Sequence, residues 1–115
     1  MEIKKYEWDC MATAIYFGNK EIMKILEDKG IEKGENQSHI EAAILSYRNF
    51  IAKEIIEKKE EKNKIIENQL NIGIIFSSKS NNIKGAESLI RKGAQINTTD
   101  QIFFNTWIYT LINLI

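Results

Sequence analysis

The chain holds one cysteine, Cys10, and one histidine, His39. A thiol activated by an imidazole is the sharpest chemistry these residues could do. Such a pair needs a third group to orient the imidazole and a cleft to face. No motif spacing in the sequence supplies either. Phosphate-cradling glycine loops, metal-ligand clusters and nucleophile motifs are likewise missing from the sequence. The acidic neighbours Glu27/Asp28 and Glu60/Glu61 are the remaining candidates for proton transfer. Adjacent helical residues point in different directions, so these carboxylates do not converge and read as solvated faces. The expectation is a chain with no catalytic residue, no cofactor and no metal.

Composition narrows the partners. At 115 residues and 43% hydrophobic, the chain suits one domain, 1–115, with enough apolar side chains for a core. Basic and acidic residues balance at 16 each, which leaves no electrostatic footprint for nucleic acid. Only Arg48 and Arg91 among those basic residues are arginines, and arginine is the usual reader of phosphates and bases. A single cysteine excludes an internal disulfide. The opening "MEIKKYEWDC" has no apolar h-region, so a secretory signal is not expected and a cytoplasmic, intracellular location is.

The elements that must carry any site are helical. "DCMATAIYFGNKEIMKILEDKG" reads as two short helices: Asp9 caps the first, Gly18-Asn19 turns the chain, and Gly30 closes the second. In the second segment, Ser38 and Glu41 stand in capping-box spacing. Ile40, Ala43, Ile44 and Tyr47 form one apolar face, Arg48-Asn49 takes the place of the turn, and Ile51, Ala52, Ile55 and Ile56 form the next face. A third pair runs from about Leu70 to Ser78 and from Ile83 to Lys92, with Gly73 and Gly85 inside the helices. Each costs its helix about 1 kcal/mol against alanine, which close packing on a neighbour would recover. Phe104, Trp107, Ile108, Leu111, Ile112 and Ile115 follow a helical stripe at the C-terminus. That run is shorter than the about 20 apolar residues a membrane span needs. A packed helix is therefore preferred over an inserted one.

The segments recur. "NKEIMKILEDKG" from Asn19 lies over "NIKGAESLIRKG" from Asn82 without a gap, and Ala14-Ile15 lies over Ala43-Ile44. Units begin near Lys4, Lys33, Glu67 and Asp100, giving blocks 4–32, 33–66, 67–99 and a partial 100–115. On "AIYFGNKEIMKILEDKG" and "GAQINTTD", the sequence resembles the ankyrin-repeat family, most closely its divergent, Ile-, Asn- and Lys-rich protist arrays. The resemblance implies an all-α fold: a short ankyrin-type helical-repeat solenoid of about three helix-turn-helix units plus a half repeat. The family's Thr-Pro-Leu-His helix start is replaced by "DCMA", "SHIE" and "NTWI", so the hydrogen bonds it provides between repeats are missing. In this alignment Cys10 and His39 share one position in adjacent units and read as ordinary helix-start residues.

The resemblance also implies a function. It points to a protein–protein interaction module whose finger and inner-helix positions line a concave groove. By position these are Tyr6, Trp8, Tyr16, Ile102 and Phe104, and exposed aromatics make good interface anchors. The protein partner is not identifiable from the residues. The unfinished apolar stripe at the C-terminus is expected to cause self-association or marginal stability. The alternatives are a membrane-proximal protein anchored by that stripe and another α-solenoid scaffold.

Overall fold

Four helices begin where a short polar side chain takes up a free amide of the first turn, the usual way to satisfy a helix start. Asp9 accepts from the Ala12 amide at 2.8 Å ahead of α1 (Cys10–Phe17). Asn19 accepts from Ile22 at 3.2 Å ahead of α2 (Lys20–Asp28). Asn36 accepts from Ser38 at 3.0 Å ahead of α3 (Gln37–Leu45). Two longer helices, α4 (Asn49–Glu61) and α5 (Glu67–Ser80), start without a side-chain cap. Asn82 accepts from Gly85 at 2.9 Å ahead of α6 (Ile83–Arg91). The computed structural model describes residues 8–62 and 66–99, and among these the regular structure is six helices with no strand.

The central helix departs from its expected start. Ser38 and Glu41 form no capping box, because Asn36 is the cap and both residues lie inside α3, fully buried. The turn after α3 also shifts by one residue: Tyr47 and Arg48, rather than Arg48 and Asn49, reverse the chain.

The helices close in a common way. At Gly18, Tyr47 and Asn81 the backbone enters the left-handed region, with φ of 70°, 61° and 57°. The next amide then bonds back across the turn: Asn19 to Ala14 at 2.9 Å, Arg48 to Ala43 at 2.8 Å, Asn82 to Ser77 at 2.9 Å. This is the Schellman closure, which satisfies carbonyls the helix itself cannot. Gly30 and Gly93 close α2 and α6 similarly, with Ile31 and Ala94 bonding back to Leu26 and Leu89, each at 3.0 Å. Tyr47 adopts a conformation that costs a side-chain-bearing residue about 1–2 kcal/mol. Its hydroxyl donates to the Ser80 carbonyl in the next hairpin, which offsets part of that cost.

Each hairpin buries its apolar face against the next. The first helices of the pairs lie side by side, α1 on α3 and α3 on α5, while α2, α4 and α6 each back their own partner and α4 touches α6. Met11, Ile15, Ile40, Ile44, Ile55 and Leu89 are all but sealed from solvent, and each contributes about 1.5–3 kcal/mol relative to exposure. Alanines at 12, 14, 42 and 43 let the central helices approach closely. Gly73 does the same for α5: a Cβ there would stand 2.8 Å from a Leu89 methyl carbon. Gly85 leaves room for the capping Asn82 side chain instead.

Polar contacts join neighbouring hairpins as well. Asn82, 2% exposed, donates to the Ile44 carbonyl at 2.9 Å and exchanges hydrogen bonds with the Asn49 amide at 2.7 and 3.1 Å. Lys33, in the connection after α2, pairs with Glu27 at 3.3 Å and Glu54 at 3.8 Å. Exposed pairs such as Lys62–Glu32 and Lys92–Glu60 are worth about 0–1 kcal/mol each. Asn19 and Asn82 are therefore unequal caps. Asn19→Ala removes one exposed cap and should cost about 1 kcal/mol. Asn82→Ala also leaves buried groups on α3 and at Asn49 without their partner and should cost about 2–4 kcal/mol. Urea unfolding at constant slope checks both values; equal costs would mean that the contacts from Asn82 to the second hairpin contribute nothing.

Candidate partner-binding surface

The aromatic residues near the first helix meet. Trp8 is half-buried against the core just before α1. Its ring centroid stands 5.4 Å from that of Tyr16, tilted by 57°. Tyr16 in turn meets Phe17 edge-on at 5.1 Å. These separations lie in the range where tilted and edge-to-face pairs are favourable. Tyr16 is 39% exposed and Phe17 73% exposed. A shallow cleft of about 430 Å³ continues from Trp8 past Thr13 and Phe17 to Ile22.

Of the expected anchors, the structure brings Trp8 and Tyr16 together; Tyr6, Ile102 and Phe104 lie outside the described residues. Phe17 and Ile22 join the same patch without having been expected. Their signal was in the sequence: Phe17 immediately precedes a left-handed turn, and Ile22 sits one turn into the following helix. The central helix adds no exposed surface, since every residue from Ser38 to Ile44 is buried. The first hairpin therefore exposes Tyr16 and Phe17, while the second exposes Tyr47 and Phe50 at the turn after α3 and the start of α4.

Beneath that patch, Asp9 does two jobs. While one oxygen caps α1, both lie 2.9–3.0 Å from Nε2 of His39, in the next hairpin. His39 is fully buried, and its Nδ1 accepts the Gly34 amide at 2.8 Å. An acceptor at Nδ1 places the neutral ring's proton on Nε2, which donates to Asp9. Burial pushes the Asp9 carboxyl up, but the Ala12 amide, the His39 ring and the Met11 amide outweigh it and hold the group below its ordinary 3.8. With both nitrogens engaged, the imidazole has no lone pair left to take a proton from the exposed Cys10.

Among the described residues no group of three or more His, Cys, Asp or Glu side chains is placed to hold a metal ion. No described helix is long and apolar enough to cross a membrane, and the apolar stripe after Phe104 lies outside the described residues. Searches against protein-family models, curated proteins and solved structures found no match to the chain.

Because the Asp9 carboxyl is depressed in the folded chain, the unfolded chain binds its proton first as pH falls. Stability from this group is complete above 3.8 and is lost as pH drops through the folded value. Asp9→Asn keeps a good cap but cannot titrate. Its unfolding midpoint should fall less steeply than that of the native chain below pH 3.8; parallel curves in acid titrations followed by circular dichroism would argue against the role. Asp9→Ala should cost about 1–3 kcal/mol at neutral pH, as both the cap and the acceptor for His39 are lost.

Proposed function

We propose that the chain is a short ankyrin-type helical-repeat solenoid that acts as a non-catalytic protein–protein interaction module. The repeat reading is supported by the left-handed turns at Gly18, Tyr47 and Asn81, which carry the same backward hydrogen bond. It is also supported by the loops after α2 and α6. Each holds a short turn at an equivalent place, Glu35 amide to Glu32 carbonyl and Thr98 amide to Gln95 carbonyl. Stacked hairpins of this kind bury their faces only against neighbours and leave the ends and edges to partners.

The single observation that carries the functional reading is the partly exposed aromatic run Trp8, Tyr16 and Phe17. Rigid aromatic side chains give large contact area at low entropic cost, which is why they dominate binding energy at interfaces. The partner this surface fits is a protein offering an apolar or aromatic side chain to the cleft beside Trp8. The absence of catalysis in this reading rests on the committed imidazole of His39 and the separation of its role from Cys10.

Affinity capture with the immobilised chain tests the reading. A specific partner retained by the native chain and by Lys53→Ala should be lost with Trp8→Ala and with Tyr16→Ala, each weakening binding about tenfold or more. Equal retention by all four proteins would overturn the assigned surface. Sedimentation of the isolated chain addresses its self-association: the expected result is a concentration-dependent rise in average mass, and a single monomer species at every concentration would contradict it.

A further inference from the structure

The outer helices of the first two hairpins enclose a feature that the interaction reading leaves unused. Between α2 and α4 lies a cleft of about 440 Å³, within the size range of small-molecule sites. Four of its lining residues are cationic: Lys20, Lys24, Lys33 and Arg48, against a single carboxylate, Glu27. That concentration is notable in a chain of zero formal net charge. Glu27 and Glu54 neutralise Lys33 at 3.3 and 3.8 Å. Lys20, Lys24 and Arg48 have no ion pair among the described residues.

Helical spacing aims the two lysines together, since residues four apart on α2 share a face. Arg48 reaches the same cleft from the start of α4 and is held over Gly18, where a Cβ would collide with its guanidinium. Its hydrogen bond to the Ser46 carbonyl is long, at 3.5 Å, so the fork keeps most of its donors for a ligand. A planar fork backed by two ammonium groups matches a phosphoryl group, which accepts bidentate hydrogen bonds and carries more than one negative charge. The rest of the cleft is apolar: Met23 and Ile51 are buried, and Phe50 stands 63% exposed at the rim.

We propose that this cleft binds a soluble phosphorylated small molecule. Arg48, Lys20 and Lys24 hold the phosphoryl oxygens, and the uncharged part of the ligand lies along Met23, Ile51 and Phe50. The cleft shares no lining residue with the Trp8 surface, and ligand binding to it is measured without a protein partner.

Titration calorimetry of the full chain with pyrophosphate and with ADP tests the proposal. Saturable binding at a single site is expected, and raising the salt to about 0.5 M should weaken it by screening the three cations. Arg48→Gln, and separately the double variant Lys20→Gln/Lys24→Gln, should each weaken it about tenfold or more. Lys53→Gln, an exposed α4 lysine paired with Glu57, should bind like the native chain. Circular dichroism reports whether Arg48→Gln folds; if it does not, the lysine double variant decides. The proposal is overturned by lack of saturable binding to both probes, by unchanged affinity in the cleft variants, or by an equal loss in Lys53→Gln. Binding to phosphatidylcholine vesicles containing phosphatidic acid, with neither soluble probe bound, would also overturn it, since the phosphate would then belong to a lipid headgroup.

Discussion

A residue in the left-handed conformation at the end of each hairpin's first helix is the constraint on which the rest of this molecule depends. Gly18, Tyr47 and Asn81 each stop a helix and send the chain back along it, and in each case the next amide bonds to a carbonyl five residues earlier. Without that closure the second helix of each pair would leave in another direction, and the apolar faces of α2, α4 and α6 would miss their partners. Only Gly18 adopts the conformation free of side-chain cost. Asparagine tolerates it through its short polar side chain, and tyrosine holds it because its hydroxyl reaches the next turn. The same backbone geometry is thus reached by three different residues for three different reasons.

Around these turns, polar side chains fasten one hairpin to the next. Asp9 caps its own helix and receives His39 from the second hairpin; Asn82 caps α6 and reaches back to α3 and Asn49. Trp8 immediately precedes Asp9, whose carboxylate is 42% exposed while its His39 partner is fully buried, so the first aromatic of the proposed surface is next in the chain to a polar link between hairpins.

Much of the helical layout was legible in the sequence. Asp9 before an apolar run, Gly18-Asn19, and the Lys-Gly endings at 30 and 93 signalled local structure through backbone preferences that act within a few residues, and the structure realises all of them. Gly73 was readable as a close approach, and Leu89 is what approaches it. The misses have physical causes. Ser38 and Glu41 have ideal capping spacing, but Asn36 offers an equally good oxygen earlier and the helix starts there. Tyr47 continues the helical spacing of Ile40, Ala43 and Ile44, but it takes a positive φ at the turn, and its bond to a residue 33 positions away is invisible to local pattern. The pairing of His39 with Asp9 was missed for the same reason: alignment of units set His39 beside Cys10, one residue off the true contact. The α2–α4 cleft arises from two helices distant in sequence whose cations look like ordinary solvated residues.

The side-chain links between hairpins have a further consequence. Those joining described hairpins span limited stretches of chain: 30 residues from Asp9 to His39, 33 from Asn49 to Asn82, 38 from Ile44 to Asn82. Each hairpin is therefore joined to its immediate neighbour, and α3 packs on both α1 and α5. Loss of order then spreads as a zipper opens, inward from the outer hairpins. The amides of α3 would be the last to exchange their hydrogens with solvent, and the aromatic run on α1 would sit in a region that opens at lower free energy than the centre.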